Sequence, residues 1–267
     1  MMSILQQLHE AQFIWKSSVG AANPGVGAEF RGLDMLAEFK DWNWLSTFYF
    51  SVSGKKLSVE AEQFLNGVYC MCFSYPDARI WNNGIASMSA TTRSTAQLGV
   101  GAGNAVSEAD FYGGRPVMKS VDFMLRARAK LAEGLSIQKI LEDETDSRKI
   151  LYGYGRPIVA RDERVAPAIK LLEELHLLDR PHIQTALSME EYLESNDSEF
   201  RLNICGVFAA FCADEGMTPQ EVYYILVVCY SIGMLASYVD VLEKPEGHFF
   251  PFQCDAIDYQ GAEPRKW

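Results

Sequence analysis

The 267-residue sequence predicts a mainly α-helical protein on three observations. Apolar residues recur at helical spacing in the long segments, cap residues punctuate those segments, and no strand–helix alternation appears that would build a parallel sheet. Strand signals are few, and no internal repeat is visible.

Taken in order, Phe48-Tyr-Phe-Ser-Val52 before Gly54 reads as a short strand or a helix end. Ser58-Val-Glu-Ala-Glu62 offers an N-cap ahead of the apolar run Phe64 to Phe73. Val117 to Glu133 places Met118, Val121, Met124, Leu125 and Leu131 on one helical face. Gly134 stops that helix, and Ser136 starts a short one, Ile137 to Glu142. Pro167 opens Ala168 to Leu178, with Ile169, Leu172, Leu175 and His176 sharing a face. Helices over Ser188 to Glu194 and Glu199 to Ala213 follow. Thr218-Pro219-Gln-Glu221 is a capping box with proline at the first helical position, and it opens a long last helix.

Hydrophobic residues at 48% and charged ones at 22% are ordinary for a globular chain and argue against long disorder. The net charge of −11 leaves no basic stripe to neutralise phosphates, so neither nucleic acid nor an anionic membrane surface is an expected partner. Val222 to Val239 runs 18 residues without a charge. Its serines, glycine and tyrosines dilute the hydrophobicity, and its flanks Glu221 and Asp240 are acidic, so a buried helix is expected rather than a span. The opening Met1-Met2-Ser3-Ile4-Leu5-Gln6 lacks the basic and apolar regions of a signal peptide, and a cytoplasmic location is expected. The six cysteines sit mostly in apolar runs without CxxC or zinc spacing, which predicts reduced, buried thiols.

Gly99-Val-Gly101-Ala-Gly103 lacks the spacing and lysine of a phosphate loop, and small residues at a close helix contact are the better reading. The four histidines (9, 176, 182, 248) show no metal-ligand spacing, so no metal is expected. His176 is expected at the core edge of its helix and His182 in a loop, while His248 lies among aromatics in Gly247-His-Phe-Phe-Pro251. No GxSxG nucleophile motif occurs. The most informative stretch is Leu151-Tyr-Gly-Tyr-Gly-Arg-Pro-Ile-Val-Ala-Arg-Asp-Glu-Arg164. Its two glycines permit sharp turns and close approach of a ligand, although a tight surface connection would use them too.

Gly153, Gly155, Pro157, Asp162 and Arg164 match the GxGHP…D-x-R signature, and the pattern resembles the citrate synthase and citryl-CoA lyase superfamily. Phe30-Arg31-Gly32-Leu33-Asp34-Met35 is similar to that family's YRG-(Y/I)-D-L. Thr92-Arg93-Ser94-Thr95 followed by Asp110-Phe-Tyr-Gly113-Gly114 looks like the stretch ending in D-x-(H/F)-GGA, and Tyr75-Pro-Asp77-Ala78 like A-D-H-G. Leu202-Asn203-Ile204-Cys205-Gly206 is similar to N-V-D-G, and Phe250-Pro251-Phe252…Tyr259-Gln-Gly261 to the closing RP…Y-x-G. The departures coincide with the chemistry. Arg156 and Ala78 stand for histidines, Tyr112 for the histidine of many members, Cys205 for the aspartate, and Phe250 for a carboxylate-binding arginine.

The resemblance implies an all-α, citrate synthase-like fold, with a large helical domain over 1–117 and 206–267 and a smaller one over 118–205. It also implies a homodimer, with the apolar helix 222–239 as an interface element. In the family an aspartate deprotonates the acetyl-CoA methyl group, histidines hold the developing oxyanions, and arginines bind the dicarboxylate. A thiol at the aspartate position is a poor base, since free thiols titrate near ~8.5 and apolar burial raises that. Arginine shuttles no proton but stabilises a negative oxygen. Losing the charge-assisted bonds to a dicarboxylate, worth about 1.5–3 kcal/mol each, argues against oxaloacetate or citrate as the substrate. The expected function is action on a CoA thioester or related acyl substrate, making, cleaving or hydrolysing a bond beside a carbonyl. Arg156, Cys205 and Tyr112 are the expected catalytic groups. Asp110, Gly113, Gly114, Asn203, Phe250 and His248 are the expected substrate-binding ones. No tightly bound cofactor is expected. Two alternatives stay open: a catalytically inactive ligand-binding or regulatory homologue, and a structural partner for an active relative.

Overall fold

The computed structural model describes residues 3–12, 16–72, 75–148, 150–156, 161–248, 255–263 and 265. Helix α1 (Ile4–Ala11) is capped by Ser3 and Gln6 and buries none of its residues. A three-stranded antiparallel sheet follows, β1 (Gly20–Asn23), β2 (Gly27–Phe30) and β3 (Leu33–Asp34) in that order. The sequence pattern did not signal these short strands. Arg31 and Gly32 turn β2 into β3 with φ of 48° and 83°, the positive pair that a two-residue hairpin turn needs. The Arg31 guanidinium then reaches the Ser51 carbonyl at 2.9 Å, so the turn caps a helix as well as reversing the chain.

That helix is α3 (Trp44–Ser53), preceded by α2 (Met35–Glu38). Phe48–Val52 is therefore helical. Asn43 caps its start, and Gly54, at φ 72°, closes its end. Next come α4 (Val59–Cys72), α5 (Trp81–Thr91), α6 (Ala96–Val106), α7 (Gly114–Ala132) and α8 (Ile137–Arg148). After them are α9 (Val165–Glu174), α10 (Pro181–Ser195), α11 (Ile204–Asp214), α12 (Pro219–Ile225) and α13 (Ser231–Leu242).

Several boundaries differ from the sequence expectation for physical reasons. Residues 199–203 are not helical, because Leu202 pairs with Tyr154 and Asn203 caps α11. α10 starts at Pro181, which places His182 inside the helix with Nδ1 2.7 Å from Asp214 Oδ1. His176 lies beyond the end of α9, exposed and at φ 56°, rather than on the core face. The apolar run 222–239 is interrupted by a 3-10 turn at Leu226–Val228. Pro219–Leu242 has the length and composition to cross a membrane, and 44% of its apolar window is buried inside the fold. α12 packs on α7, and α13 on α5.

α11 is the hub. Val207 through Cys212 are all buried, and Phe208 and Phe211 stack into a cluster with Phe64 and Tyr69 of α4. Each such phenyl ring removed from water contributes about 1.5–3 kcal/mol. A second, smaller cluster joins Ala86 and Ala90 of α5 to Met234, Tyr238 and Val241 of α13. α6 closes against it because Gly99 faces Ser89 and Tyr238, and Gly103 faces Met234. The glycine-rich stretch is thus a helix contact.

Candidate functional site at the start of α11

The loop carrying Arg156 is fixed against α11 by backbone pairing. Asn203 N–H donates to the Gly153 carbonyl at 3.0 Å, and its side-chain amide donates to the Gly155 carbonyl at 2.8 Å. The same side chain accepts from Gly206 N–H at 3.1 Å and so starts the helix. This contact needs two residues without side chains. A Cβ on Gly153 would lie 2.9 Å from the Gly206 Cα, and one on Gly206 would run into the Gly153 carbonyl. The close approach sets Arg156 and Cys205 at one end of α11.

Asp162 ties the site together. Its side chain is fully buried and meets the Arg164 guanidinium along two 2.8 Å bonds. It also accepts from Ile204 N–H at 3.0 Å and Arg164 N–H at 3.1 Å. Arg164 Nη1 donates to the Cys72 carbonyl at 3.0 Å, which links the end of α4 to the start of α11. Burial works to raise the Asp162 pKa, but Arg164 and the Ile204 amide outweigh it and hold the carboxyl below its ordinary range. Arg156 Nη1 lies 3.5 Å from Asp162 and pairs closely with Glu163. Both cations beside Cys205 are therefore paired with carboxylates.

Cys205 is partly accessible in the first turn of α11. A helix N-terminus and two guanidinium groups would favour a thiolate. Burial wins: it pushes the thiol up to about 11, with Arg164 pulling down, Asp162 pushing up and Arg156 pulling down less. Cys72 is raised to about 11 by burial in the same cluster, against the pull of Arg164. Both thiols are neutral at pH 7.

An aromatic wall runs from this cluster to Tyr112. Trp81 packs edge-on against Tyr230 at 6.3 Å between ring centroids. Burial raises the Tyr230 hydroxyl pKa, and Cys229 and Cys205 add to the rise. Tyr112 stacks on Trp81 at 5.1 Å with the rings inclined by 27°. Tyr75 lies over Arg164 at 5.9 Å. Among the described residues the Trp81 indole N–H, which is shielded from solvent, has no hydrogen-bond partner. Leaving such a donor unpaired costs about 1–3 kcal/mol. Tyr112 reaches its position through a tight turn, at φ 58°, followed by Gly113 at φ 101°. A Cβ on Gly113 would strike the Ser107 carbonyl, and Gly114 opens α7 against the Tyr223 ring.

Not every expected site residue converges here. Asp110 turns away to Arg115 at 3.6 Å and Lys119 at 3.5 Å, and its side chain is 65% exposed. His248 is exposed in a turn beside Thr91, whose carbonyl accepts from Gly247 N–H. Thr91 ends the helix that Trp81 begins, so the turn carrying His248 sits at the opposite end of that helix from Trp81. Phe250 lies outside the described residues. Asp162, Arg164, Cys72, Trp81 and Tyr230 were absent from the expected set. The D-x-R of the 151–164 stretch was the available signal for the first two. Among the described residues no group of three or more His, Cys, Asp or Glu side chains is placed to hold a metal ion.

No protein-family model matches the chain, and no curated protein sequence does. Solved structures do match. Citryl-CoA lyase from Hydrogenobacter thermophilus aligns with a TM-score of 0.81 at 18% identity, over 95% of this chain and 97% of that one. ATP citrate lyase from Methanosaeta concilii, in complex with (3S)-citryl-CoA, aligns at 0.73 and 14% identity over 98% of this chain but 45% of its own. Citrate synthase from Thermoplasma acidophilum, in a ternary complex with carboxymethyl coenzyme A and oxaloacetate, aligns at 0.64 and 15% identity, over 84% of this chain and 58% of that one. At these identities the likeness establishes architecture, and the chain has the all-α, citrate synthase-like fold.

Proposed function

We propose that this protein acts on a CoA thioester or a related acyl substrate, forming, cleaving or hydrolysing a bond beside the acyl carbonyl, and that oxaloacetate and citrate are not its substrates. The observation that carries the reading is the Asn203–Gly155 bond that seats the Arg156 loop against the start of α11, where Cys205 lies, in a fold shared over nearly its whole length with a citryl-CoA lyase. In this reading Arg156 releases Glu163 and stabilises a thioester or enolate oxygen. Cys205 serves as a neutral thiol beside it, Tyr112 borders the acyl position, and Asn203, Gly113 and Gly114 shape the backbone around the ligand. Asp110 and His248, as they are disposed, take no part.

A second reading, a ligand-binding homologue without turnover, is favoured by one observation. A Cys205 thiol raised to about 11 supplies no base at neutral pH. A thermal-shift screen of acyl-CoA thioesters, followed by mass spectrometry of any ligand that shifts the protein, separates the readings. New products that disappear in Arg156→Ala support the enzyme. Binding without products supports the second reading, and no shift with CoA or any thioester overturns both.

The same reading proposes movement between 118–205 and the remainder of the chain, and a cytoplasmic homodimer. The dimer is supported by exposed apolar residues on α6 and α13, Leu98 at 66%, Ile232 at 60% and Val239 at 49%. Sedimentation at micromolar concentration tests it, with a monomer as the refuting result.

A further inference from the structure

The Trp81 indole N–H is shielded yet unpaired among the described residues, and the ring stacked on that indole is Tyr112. Tyr112 is 49% exposed, sits at φ 58° in the left-handed region, and stacks on Trp81 at 5.1 Å. Behind Trp81 the wall continues through Tyr230 toward Cys205. The charges are already spent, with Arg164 clasped by Asp162 and Arg156 by Glu163 and Asp162. A planar, uncharged group with one acceptor oxygen fits these features. A group bearing a carboxylate does not.

We propose that the acyl portion recognised here is aromatic. The aryl ring takes the place of Tyr112 on Trp81, and the acyl oxygen accepts the hydrogen bond from the Trp81 indole N–H. Tyr112 is then a removable cover that occupies the aryl position in the free protein. This rests on the acyl-thioester reading above. Aromatic stacking supplies the affinity, and the orphan donor supplies the orientation. Rejection of small and charged acyl groups follows, because the first leave the wall unfilled and the second find Arg156 and Arg164, the two guanidinium groups beside Cys205, already paired with carboxylates.

The test is a calorimetric comparison of CoA, acetyl-CoA, succinyl-CoA and benzoyl-CoA on the full chain, with Trp81→Phe and Tyr112→Ala beside it. Benzoyl-CoA is expected to bind at least ~10-fold tighter than the other three. Trp81→Phe keeps a ring but loses the donor, and is expected to cost ~5-fold or more for benzoyl-CoA while leaving CoA unchanged. Tyr112→Ala removes the competitor and is expected to tighten benzoyl-CoA by ~3-fold. Quenching of indole fluorescence by benzoyl-CoA, present in the parent and diminished in Trp81→Phe, reports the stacking directly. Equal affinity for acetyl-CoA and benzoyl-CoA overturns the proposal, as does weakened benzoyl-CoA binding in Tyr112→Ala. If CoA and all three thioesters fail to bind, the parent reading falls with it. If they bind without discrimination, only the aromatic inference falls.

Discussion

Replacing Asp162 with asparagine is the sharpest test of how this site is assembled. The carboxylate is fully buried, takes two bonds of 2.8 Å from Arg164, and accepts the Ile204 and Arg164 amides at 3.0 and 3.1 Å. Asparagine keeps the shape but removes the charge, and its NH2 group faces a donor wherever it points. Arg164, whose side chain is 20% exposed, is left without its counter-ion. Breaking one side of a buried pair costs about 3–5 kcal/mol, and each lost charge-assisted bond alone accounts for about 1.5–3 kcal/mol. Against a total stability of about 5–15 kcal/mol, the loss shows clearly as a lower midpoint in guanidinium unfolding. The protein should remain folded at 25 °C but with a frayed start to α11, seen as faster amide exchange at Ile204 and Gly206. A loss below about 1 kcal/mol would refute the assignment of Asp162 as the link between the 151–164 loop, α4 and α11.

Three further outcomes follow from the same contacts. Cys205 and Cys72, at about 11, should resist alkylation at pH 8, since about 0.1% thiolate is present against about a quarter for a free thiol near 8.5. Cys70 is exposed, contrary to the expectation of buried thiols, and labels in any case, so rapid iodoacetamide labelling mapped by peptide mass spectrometry to Cys205 or Cys72 would contradict this. Because both native thiols titrate above their unfolded value, the stability they contribute is intact below about pH 8.5 and is lost as pH rises toward 11. Unfolding free energy measured across pH 8 to 11 should fall, and fall less in Cys205→Ser. Gly206→Ala should destabilise by about 1–3 kcal/mol through its clash with the Gly153 carbonyl, read as a depressed Tm, while Gly134→Ala, with open space around it, should cost only its backbone strain.

The sequence made the helices legible wherever a cap and an apolar stripe agreed. Thr218 and Glu221 form the capping box, and Gly134 stops α7 at φ 90°. It failed where tertiary pairing overrode local pattern. Residues 199–203 look helical in isolation, yet Leu202 bridges Tyr154, a partner that local periodicity does not register. The hairpin 20–34 was missed because its strands are short and little buried, which leaves no alternation to read. At the site, Arg156 and Cys205 stand out as departures from a motif, whereas Asp162 and Arg164 match it, and a match by itself does not show that their pairing ties the loop to α4 and α11. Trp81 and Tyr230 carry no motif at all. Their pairing is set by the packing of α5 along α13, which only the fold supplies.

The charges around Cys205 sum to zero across Arg156, Arg164, Asp162 and Glu163, but the two pairs differ in strength. Asp162 is buried and multiply bonded, so it holds Arg164 permanently. The Glu163 side chain is 57% exposed, and a pair of that kind is worth about 0.2–1 kcal/mol. Glu163 is therefore the group that a ligand oxygen can displace from Arg156, and it also repels a ligand that brings its own carboxylate. Glu163→Gln should leave the fold intact and tighten succinyl-CoA by up to about fivefold, the equivalent of that pair, with little change for benzoyl-CoA. The gain should shrink between 50 and 500 mM salt, because the unmasked charge is screened, and it should vanish in Arg156→Ala. If Glu163→Gln weakened succinyl-CoA, Glu163 would be positioning Arg156 rather than masking it. The site's selectivity would then have to come from shape alone.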